Sequence, residues 1–286
     1  MQTIRTRAEL EASLTTLPHP VALVPTMGAL HAGHAALIAA ARQGAASVVA
    51  TIFVNPRQFG SGDEAARYPR ALEADRRLAE RAGADLLFVP DVDEIYPPNE
   101  PVPNVDPGPL ALRLEGASRP GHFAGVATVV SRLFDLVRPQ VAYFGAKDAQ
   151  QVRVVEWLAS QRTDGIAIRR VPTVRDGDGL ALSSRNQLLS PRGRRAAARA
   201  IPVALSLVAE AHASGVTGVA SLRALAERVI AAEPDLDLDY LDLADSATLA
   251  PLKGDGQVGD APSGEVLVSV AATVDGVRLI DAITLP

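Results

Sequence analysis

Hydrophobic and polar residues follow two alternating patterns along the first 175 positions. Short apolar or β-branched runs predict buried strands at 21–26, 47–54, 85–89, 141–145 and 166–174. Between them, apolar residues at helical spacing predict helices at 34–44, 70–83, 125–137 and about 147–159. Strands that alternate with helices form βαβ units with right-handed crossovers. We therefore expect an α/β fold with a Rossmann-like, doubly wound parallel sheet of five strands.

The remainder of the chain predicts a different layout. Ser190-Pro191 is typical of a helix start, with a serine N-cap and a first-turn proline, and predicts a long helix over about 191–213. The pattern then predicts a second helix over about 219–232 and strands at 236–244, 265–274 and 277–285. The DGDG turn at 176–179 is expected to separate a Rossmann-like domain, 1–175, from a smaller C-terminal α/β domain, 176–286.

Composition narrows the classes of function. The 286 residues include no cysteine, which excludes disulfides, cysteine–zinc sites, iron–sulfur clusters and thiol nucleophiles. A formal net charge of −5 argues against a general nucleic-acid binder. The sequence has neither a secretory leader pattern nor an apolar stretch long enough to span a bilayer. We expect a cytoplasmic protein without a nucleic-acid or membrane partner.

The loop after the first of these strands carries two histidines three residues apart. In PTMGALHAGH, 25–34, a strand gives way to a helix, so His31 and His34 lie on one side of the first helical turn. A helix N-terminus favours an anion such as phosphate, and imidazoles there can donate hydrogen bonds to its oxygens. Histidines that only cap the helix are the alternative interpretation. The segment has no P-loop, no G-x-G-x-x-G and no H-E-x-x-H spacing.

Polar groups also follow the other predicted strands, at the carboxyl ends where open α/β sheets bind ligands. Asn55 and Gln58 in FVNPRQF can bind a carboxylate or a hydroxyl. Lys147 in GAKDAQQ and Arg185 in VPTVRDGDGLALSSRN are suited to phosphate oxygens. Taken singly, each has an ordinary structural explanation as a capping, solvated or turn residue.

Taken together, these segments resemble the pantoate–β-alanine ligase (pantothenate synthetase) family. The resemblance rests on PTMGALHAGH, FVNPRQF, YPR, LEGASRPGHFAGV, YFGAKDAQQ and VPTVRDGDGLALSSRN, which occur in family order and cover most of the chain. It implies a Rossmann-like nucleotidyltransferase domain with a smaller C-terminal lid. It also implies a reaction in which the pantoate carboxylate attacks the α-phosphorus of Mg-ATP. Pyrophosphate leaves, and the amine of β-alanine then attacks the enzyme-bound pantoyl adenylate to give pantothenate and AMP.

The resemblance also implies roles for single residues. His34 and His31, with Lys147 and Arg185, would be catalytic. Gln58, Gln151 and Asn55 would hold pantoate and β-alanine. The ATP site would comprise Pro25, Thr26, Met27, Gly28, Ala29, Leu30, His31, Ala32, Gly33, His34, Gly145, Ala146, Lys147, Asp148, Val174, Leu182, Ser183, Ser184 and Arg185.

The chain departs from the family pattern at a few positions. Ala74 and Ala146 stand where acidic residues are common, and Arg57 stands where Met is frequent. We therefore expect Mg²⁺ to be bound chiefly through the phosphates of ATP, with Asp75 or Asp148 assisting. The implied partners are ATP, pantoate and β-alanine, and a second copy of the chain in a homodimer.

Three hypotheses for the function follow. The first is this ligase. The second is another nucleotidyltransferase of the same fold with a different acceptor, against which Gln58 and Gln151 weigh. The third is a non-catalytic nucleotide-binding protein that has kept the fold. For the ligase, we expect closure of the C-terminal domain over ATP to exclude water from the acyl adenylate.

Overall fold

A computed structural model gives the fold of the chain and describes residues 1–60 and 62–286. The chain separates into two compact units. The first comprises Met1–Leu112, Arg119–Ala146 and Gln151–Val174, and the second comprises Arg113–Ser118, Lys147–Gln150 and Arg175–Pro286. Among the described residues, no helix is both long and apolar enough to cross a membrane.

Strands and helices alternate from the N-terminus to residue 174, as the pattern predicts. The strands are β1 (Gln2–Ile4), β2 (Val21–Thr26), β3 (Ser47–Ile52), β4 (Leu86–Phe88), β5 (Val141–Gly145) and β6 (Ala167–Val171). The helices are α1 (Arg7–Leu14), α2 (Ala32–Gly44), α3 (Gly62–Arg67), α4 (Leu72–Ala82), α5 (Val92–Ile95), α6 (Glu115–Ser118), α7 (His122–Val137) and α8 (Ala149–Ser160).

The strands of the first unit form one parallel sheet in the order β1-β4-β3-β2-β5-β6. The predicted doubly wound fold is confirmed, but the expected number of five strands is wrong. The sixth strand is β1 at the sheet edge, which has only three residues, two of them exposed. So short a strand carries no alternating apolar run for the sequence to reveal.

Neighbouring residues of a strand point to opposite sides, so these apolar strands present apolar side chains on both faces of the sheet. Helices cover both faces. Val21 and Leu23 belong to one apolar cluster together with α7, whose buried side includes Val126 and Val130. Ala22 and Val24 belong to a second cluster with α2 and α4. Two helical layers around a buried parallel sheet are the arrangement that the continuous apolar strands predict.

The second unit has its own sheet and its own core. Its further elements are α9 (Pro191–Ala213), α10 (Val219–Ala231), β7 (Asp237–Asp245), β8 (Val266–Val274) and β9 (Val277–Leu285). The strands pair antiparallel in the order β7-β8-β9, and apolar residues of α9 and α10 pack on them. The predicted start of α9 is confirmed, since Ser190 Oγ accepts a hydrogen bond of 3.0 Å from the Gly193 N–H.

Candidate active site

The predicted ligand-binding residues of the first unit gather at the carboxyl edge of its sheet. The strand order reverses at β2, because β3 and β4 lie on one side of it and β5 and β6 on the other. Parallel strands end at the same edge, so the segments after β2, β3 and β5 are neighbours there. Such a reversal is where open α/β sheets bind their ligands.

A buried carboxylate braces the loop that follows β2. Gly28 and Ala29 both have positive φ, +87° and +49°. Asp75 of α4 is 2% exposed, and its two oxygens accept the N–H groups of Ala29 at 2.9 Å and Leu30 at 2.7 Å. Burial raises the pKa of Asp75, and the two N–H groups oppose that rise. The carboxylate thus holds the turn that delivers the histidines.

The two histidines cap α2, and the capping contacts select their tautomer. His31 is the N-cap residue, and its Nδ1 accepts the Gly33 N–H at 3.2 Å. The Nδ1 of His34 accepts the N–H of His31 at 3.3 Å. When Nδ1 accepts, the proton of a neutral imidazole is on Nε2. The ring centroids are 4.1 Å apart, a distance that disfavours two positive charges. Each histidine is therefore both a cap and an Nε2–H donor.

The residues after β3 form a buried amide pair. Asn55 and Gln58 are 1% and 8% exposed. The Nδ2 group of Asn55 donates to Gln58 Oε1 at 3.0 Å and to the carbonyl of Gly125 at 3.1 Å, and Gln58 Nε2 contacts Met27 Sδ at 3.0 Å. The Asn55 amide, which the resemblance assigns to substrate binding, is bonded within the protein. Gln58 is the member of the pair directed at the loop after β2.

Three further residues support this pair, namely Arg57 and His122 of the quoted motifs and Tyr96, which no motif singles out. The Tyr96 hydroxyl donates to Asn55 Oδ1 at 2.8 Å, and the Arg57 guanidinium lies 4.1 Å above the Tyr96 ring. Burial raises the pKa of Tyr96, and the positive charge of Arg57 opposes this rise only in part. The phenol therefore keeps its proton. His122, at the start of α7, donates from Nδ1 to the Gln58 carbonyl at 2.8 Å.

The segment after β5 begins in the first unit with Gly145 and Ala146. Gln151, on the first turn of α8, is half-buried in this unit, as is Val174 at its end. Lys147 and Asp148 belong to the second unit, where Lys147 Nζ lies 3.3 Å from Asp148 Oδ1. The Lys147 side chain is 17% exposed. The lysine thus forms an ion pair with the carboxylate of the next residue.

The predicted serine–arginine group lies wholly in the second unit. Ser183 caps a short 3₁₀ helix, Ser184–Leu188, and its Oγ accepts the N–H of Arg185 at 3.3 Å. Ser184 is buried and Leu182 is half-buried. This cap holds the start of the 3₁₀ helix, on which Ser184 and Arg185 are the first two residues.

The described residues do not build a protein cage for a metal ion. None of their histidine, aspartate and glutamate side chains come together in a group of three that could hold one. Both oxygens of Asp75, the residue expected to assist Mg²⁺, accept backbone N–H groups instead. The donor set therefore does not fit a resident magnesium ion.

Comparison with known proteins identifies the family. The family model for pantoate–β-alanine ligase matches residues 2–284. The chain belongs to the pantoate–β-alanine ligase family. It is 48% identical over 272 residues to the pantothenate synthetase of Corynebacterium glutamicum (strain R), a match that covers 93% of each chain.

Solved structures of the family have the same fold. The pantothenate synthetase of Thermus thermophilus superimposes with a TM-score of 0.89 at 46% identity, over 99% of each chain. The pantoate–β-alanine ligase of Francisella tularensis, solved in complex with β,γ-ATP and β-alanine, gives a TM-score of 0.78 at 29% identity, over 99% of this chain and 97% of that one. Membership of the ligase family supports the first of the three hypotheses and confirms the resemblance that the six motifs indicate.

Proposed function

We propose that this ligase condenses pantoate with β-alanine at the expense of ATP, giving pantothenate, AMP and pyrophosphate through an enzyme-bound pantoyl adenylate. The observation that carries the proposal is the pair of capping histidines at the N-terminus of α2. Their Nδ1 atoms accept backbone N–H groups, so their Nε2–H groups are donors at the sheet edge where a nucleotide would bind. The Francisella relative, solved with β,γ-ATP and β-alanine, supports the same two ligands here.

In the first step, an oxygen of the pantoate carboxylate attacks the α-phosphorus, and the bond to pyrophosphate breaks with its electron pair. Negative charge grows on the phosphate oxygens in the transition state. His34 and His31 donate hydrogen bonds to these oxygens, and Lys147 and Arg185 supply positive charge. A donor that acts mainly in the transition state contributes about 2.7–4 kcal/mol, by analogy with oxyanion holes.

In the second step, the β-alanine amine attacks the acyl carbon of the adenylate. The bond from that carbon to the AMP oxygen breaks, and the amine releases a proton as the amide forms. Gln58 and Gln151 hold the pantoyl group in place. Asn55 acts through Gln58 and not by contact with a substrate. The covalent intermediate forms on the substrate, so the chemistry needs no enzyme nucleophile, in agreement with a chain without cysteine.

The proposal includes four further features, of which the bound Mg²⁺, the lid and the homodimer come from the family resemblance and the cytoplasmic location comes from the sequence pattern. Mg²⁺ enters bound to the ATP phosphates. The second unit acts as the lid that excludes water. The ligase works in the cytoplasm and as a homodimer. Light scattering of the pure protein would test the dimer, which requires twice the 29.9 kDa of one chain.

The experiment that tests the function is an AMP assay with the purified chain. With Mg²⁺, ATP, pantoate and β-alanine, we expect AMP and pantothenate to form in equal amounts over many turnovers. Omission of β-alanine should leave AMP release below one equivalent of enzyme, because the adenylate stays bound. Absence of AMP with all three substrates would contradict the ligase, and turnover with another acceptor only would favour a different nucleotidyltransferase.

A further inference from the structure

We propose that Tyr96 is a positioning residue for the ligase reaction, which fixes the amide of Gln58, through Asn55, as a hydrogen-bond donor toward pantoate. The inference rests on the proposed function for the identity of the ligand. Tyr96 is not among the residues that the family resemblance implies for the site.

The contacts of Asn55 allow only one orientation of its amide. Its Nδ2 group faces the carbonyl oxygen of Gly125 at 3.1 Å, and a carbonyl oxygen can only accept. Its Oδ1 atom receives the N–H of Arg57 at 3.2 Å and the hydroxyl of Tyr96 at 2.8 Å. A flipped amide would set donor against donor and acceptor against acceptor in a buried place, where such mismatches are costly.

The fixed amide of Asn55 dictates that of Gln58 in turn. The Gln58 atom within 3.0 Å of the Asn55 Nδ2 donor must be the acceptor Oε1. The NH₂ end of Gln58 is then turned toward the loop after β2, where it contacts Met27 Sδ at 3.0 Å. A thioether is a weak acceptor, so a ligand oxygen can replace it with a gain in hydrogen-bond strength.

The orientation of the Gln58 amide determines which substrate group can bind beside it. A Gln58 that presents N–H donors binds groups that accept, such as the hydroxyl or carboxylate oxygens of pantoate. An ammonium group offers only donors, as a lysine side chain does, and it is rejected at this position. The orientation therefore favours pantoate over the amino end of β-alanine beside Gln58.

Tyr96 is held well enough to enforce this orientation. Its ring packs edge to face against Phe53 with centroids 6.0 Å apart, and the Arg57 guanidinium lies over it. Arg57 in turn donates to the carbonyl of Val102 at 2.9 Å. A ring fixed on two sides leaves its hydroxyl little freedom, and the hydroxyl meets an oxygen of Asn55 that already accepts an N–H. The phenol must donate there.

The first test is the kinetics of Tyr96→Phe, which removes the hydroxyl and keeps the ring under Arg57. We expect the KM for pantoate to rise about 3- to 10-fold, the size of one net hydrogen bond. The KM values for ATP and β-alanine should change less than about 2-fold. Tyr143→Phe is the matched control, because Tyr143 is a buried tyrosine of β5 whose hydroxyl lies over Gly44. It should leave all three KM values unchanged.

A double-mutant cycle separates positioning from general support. In a Gln58→Ala background, Tyr96→Phe should have no further effect on the KM for pantoate, because the group it orients is gone. An equal effect in both backgrounds, or a parallel rise in all three KM values, would overturn the proposal.

The Gln58→Glu variant tests whether Gln58 presents a donor. We expect it to bind pantoate more weakly than Gln58→Ala does, because a carboxylate repels an accepting oxygen. Binding as tight as in the wild type would contradict the donor assignment.

Failure of the proposed function is distinguishable from failure of this inference. A wild-type chain that turns over all three substrates, with a Tyr96→Phe variant of unchanged kinetics, refutes the inference alone. If the wild type forms no AMP, a crystal structure of Tyr96→Phe still decides the positioning role. A Gln58 side chain in its original place would then refute it, and a rotated or disordered amide would support it. Melting temperatures of all variants show whether each one is folded.

Discussion

At the scale of single residues, the site depends on side chains that constrain others. Asp75 holds the turn before α2, and the caps at His31 and His34 place the imidazole protons on Nε2. A mutation in such a network changes both geometry and chemistry. Turnover, ligand binding and stability therefore have to be measured together for each variant.

His34→Ala should reduce kcat about 100- to 1,000-fold, since it removes a donor to charge that develops in the transition state. The dissociation constant for ATP should change much less, because the ground state retains its other contacts. Steady-state AMP assays and calorimetric titration with ATP measure the two quantities. His212→Ala is the matched control, since His212 lies on α9 and bonds the carbonyls of Val216 and Pro286. Equal losses in the two variants would contradict the role of His34.

Gly28→Ala should damage the loop after β2. Gly28 has φ +87°, and an added Cβ would lie 2.9 Å from Ile52 Cγ2 and 3.2 Å from Asp75 Oδ2. Strain of this kind costs about 1–3 kcal/mol, and a displaced loop should lower kcat/KM for ATP about 100-fold. Denaturant unfolding and AMP assays check both. Gly254→Ala, where an added Cβ meets nothing within 4 Å, should leave both unchanged. A fully active Gly28→Ala would contradict the required geometry.

At the scale of elements, hydrogen bonds between a strand's last residue and the loop that follows it hold the end of the strand in place. The last residue of β7 is Asp245, which is buried and accepts the N–H and hydroxyl of Thr248 at 2.8 and 2.7 Å and the N–H of Ser263 at 2.7 Å. Burial would raise the pKa of Asp245, but hydrogen bonds from Ser263 and Thr248 outweigh it and hold the pKa below its ordinary 3.8. The carboxylate thereby ties the loop after β7 to the strand.

Asp245→Asn should destabilise the second unit by about 1–3 kcal/mol near neutral pH, because the amide mismatches one of these donors. A lowered pKa contributes stability above the ordinary value, and that stability is lost as the pH falls through the folded value. The stability gap between wild type and variant should therefore shrink below about pH 4. Urea unfolding at a series of pH values measures this difference in stability. Asp255→Asn, at an exposed loop position, is the control. A gap that does not change with pH would contradict the assignment.

At the scale of the whole molecule, two compact units carry separate cores. The proposed ATP ligands are distributed over both, with His34 in the first and Arg185 in the second. A net charge of −5 for the whole chain therefore does not exclude cationic side chains at a site for anionic substrates. ATP that is bound by side chains of both units should then stabilise both units against unfolding.

Calorimetric unfolding should show two transitions, and saturating ATP should raise both. At about 100 times its dissociation constant, ATP should add roughly 2.7 kcal/mol to the stability of the folded state. Asp245→Asn should lower only the transition of the second unit. A single two-state transition would contradict independent cores. An ATP shift confined to one transition would contradict the distribution of the ligands.

The sequence by itself determined the elements of regular structure and the positions of the motifs. Apolar periodicity and caps such as Ser190 act within a few residues, so they can be read from the chain. The rule that ligands bind at strand ends then placed PTMGALHAGH and FVNPRQF at one edge. The sequence did not predict the three-residue β1, because this strand is stabilised by pairing with β4 and has no apolar pattern of its own.

Tertiary structure alone decided how the side chains of the site act. Asp75 meets Ala29 across 46 positions of the chain, and Tyr96 meets Asn55 across 41. No local pattern encodes such contacts, because they depend on which helix packs beside which strand. Packing thus made Asp75 a brace for the loop, and it buried both Asn55 and Gln58. The tautomers of the two histidines, on which the proposed chemistry depends, come instead from capping contacts between residues two and three positions apart.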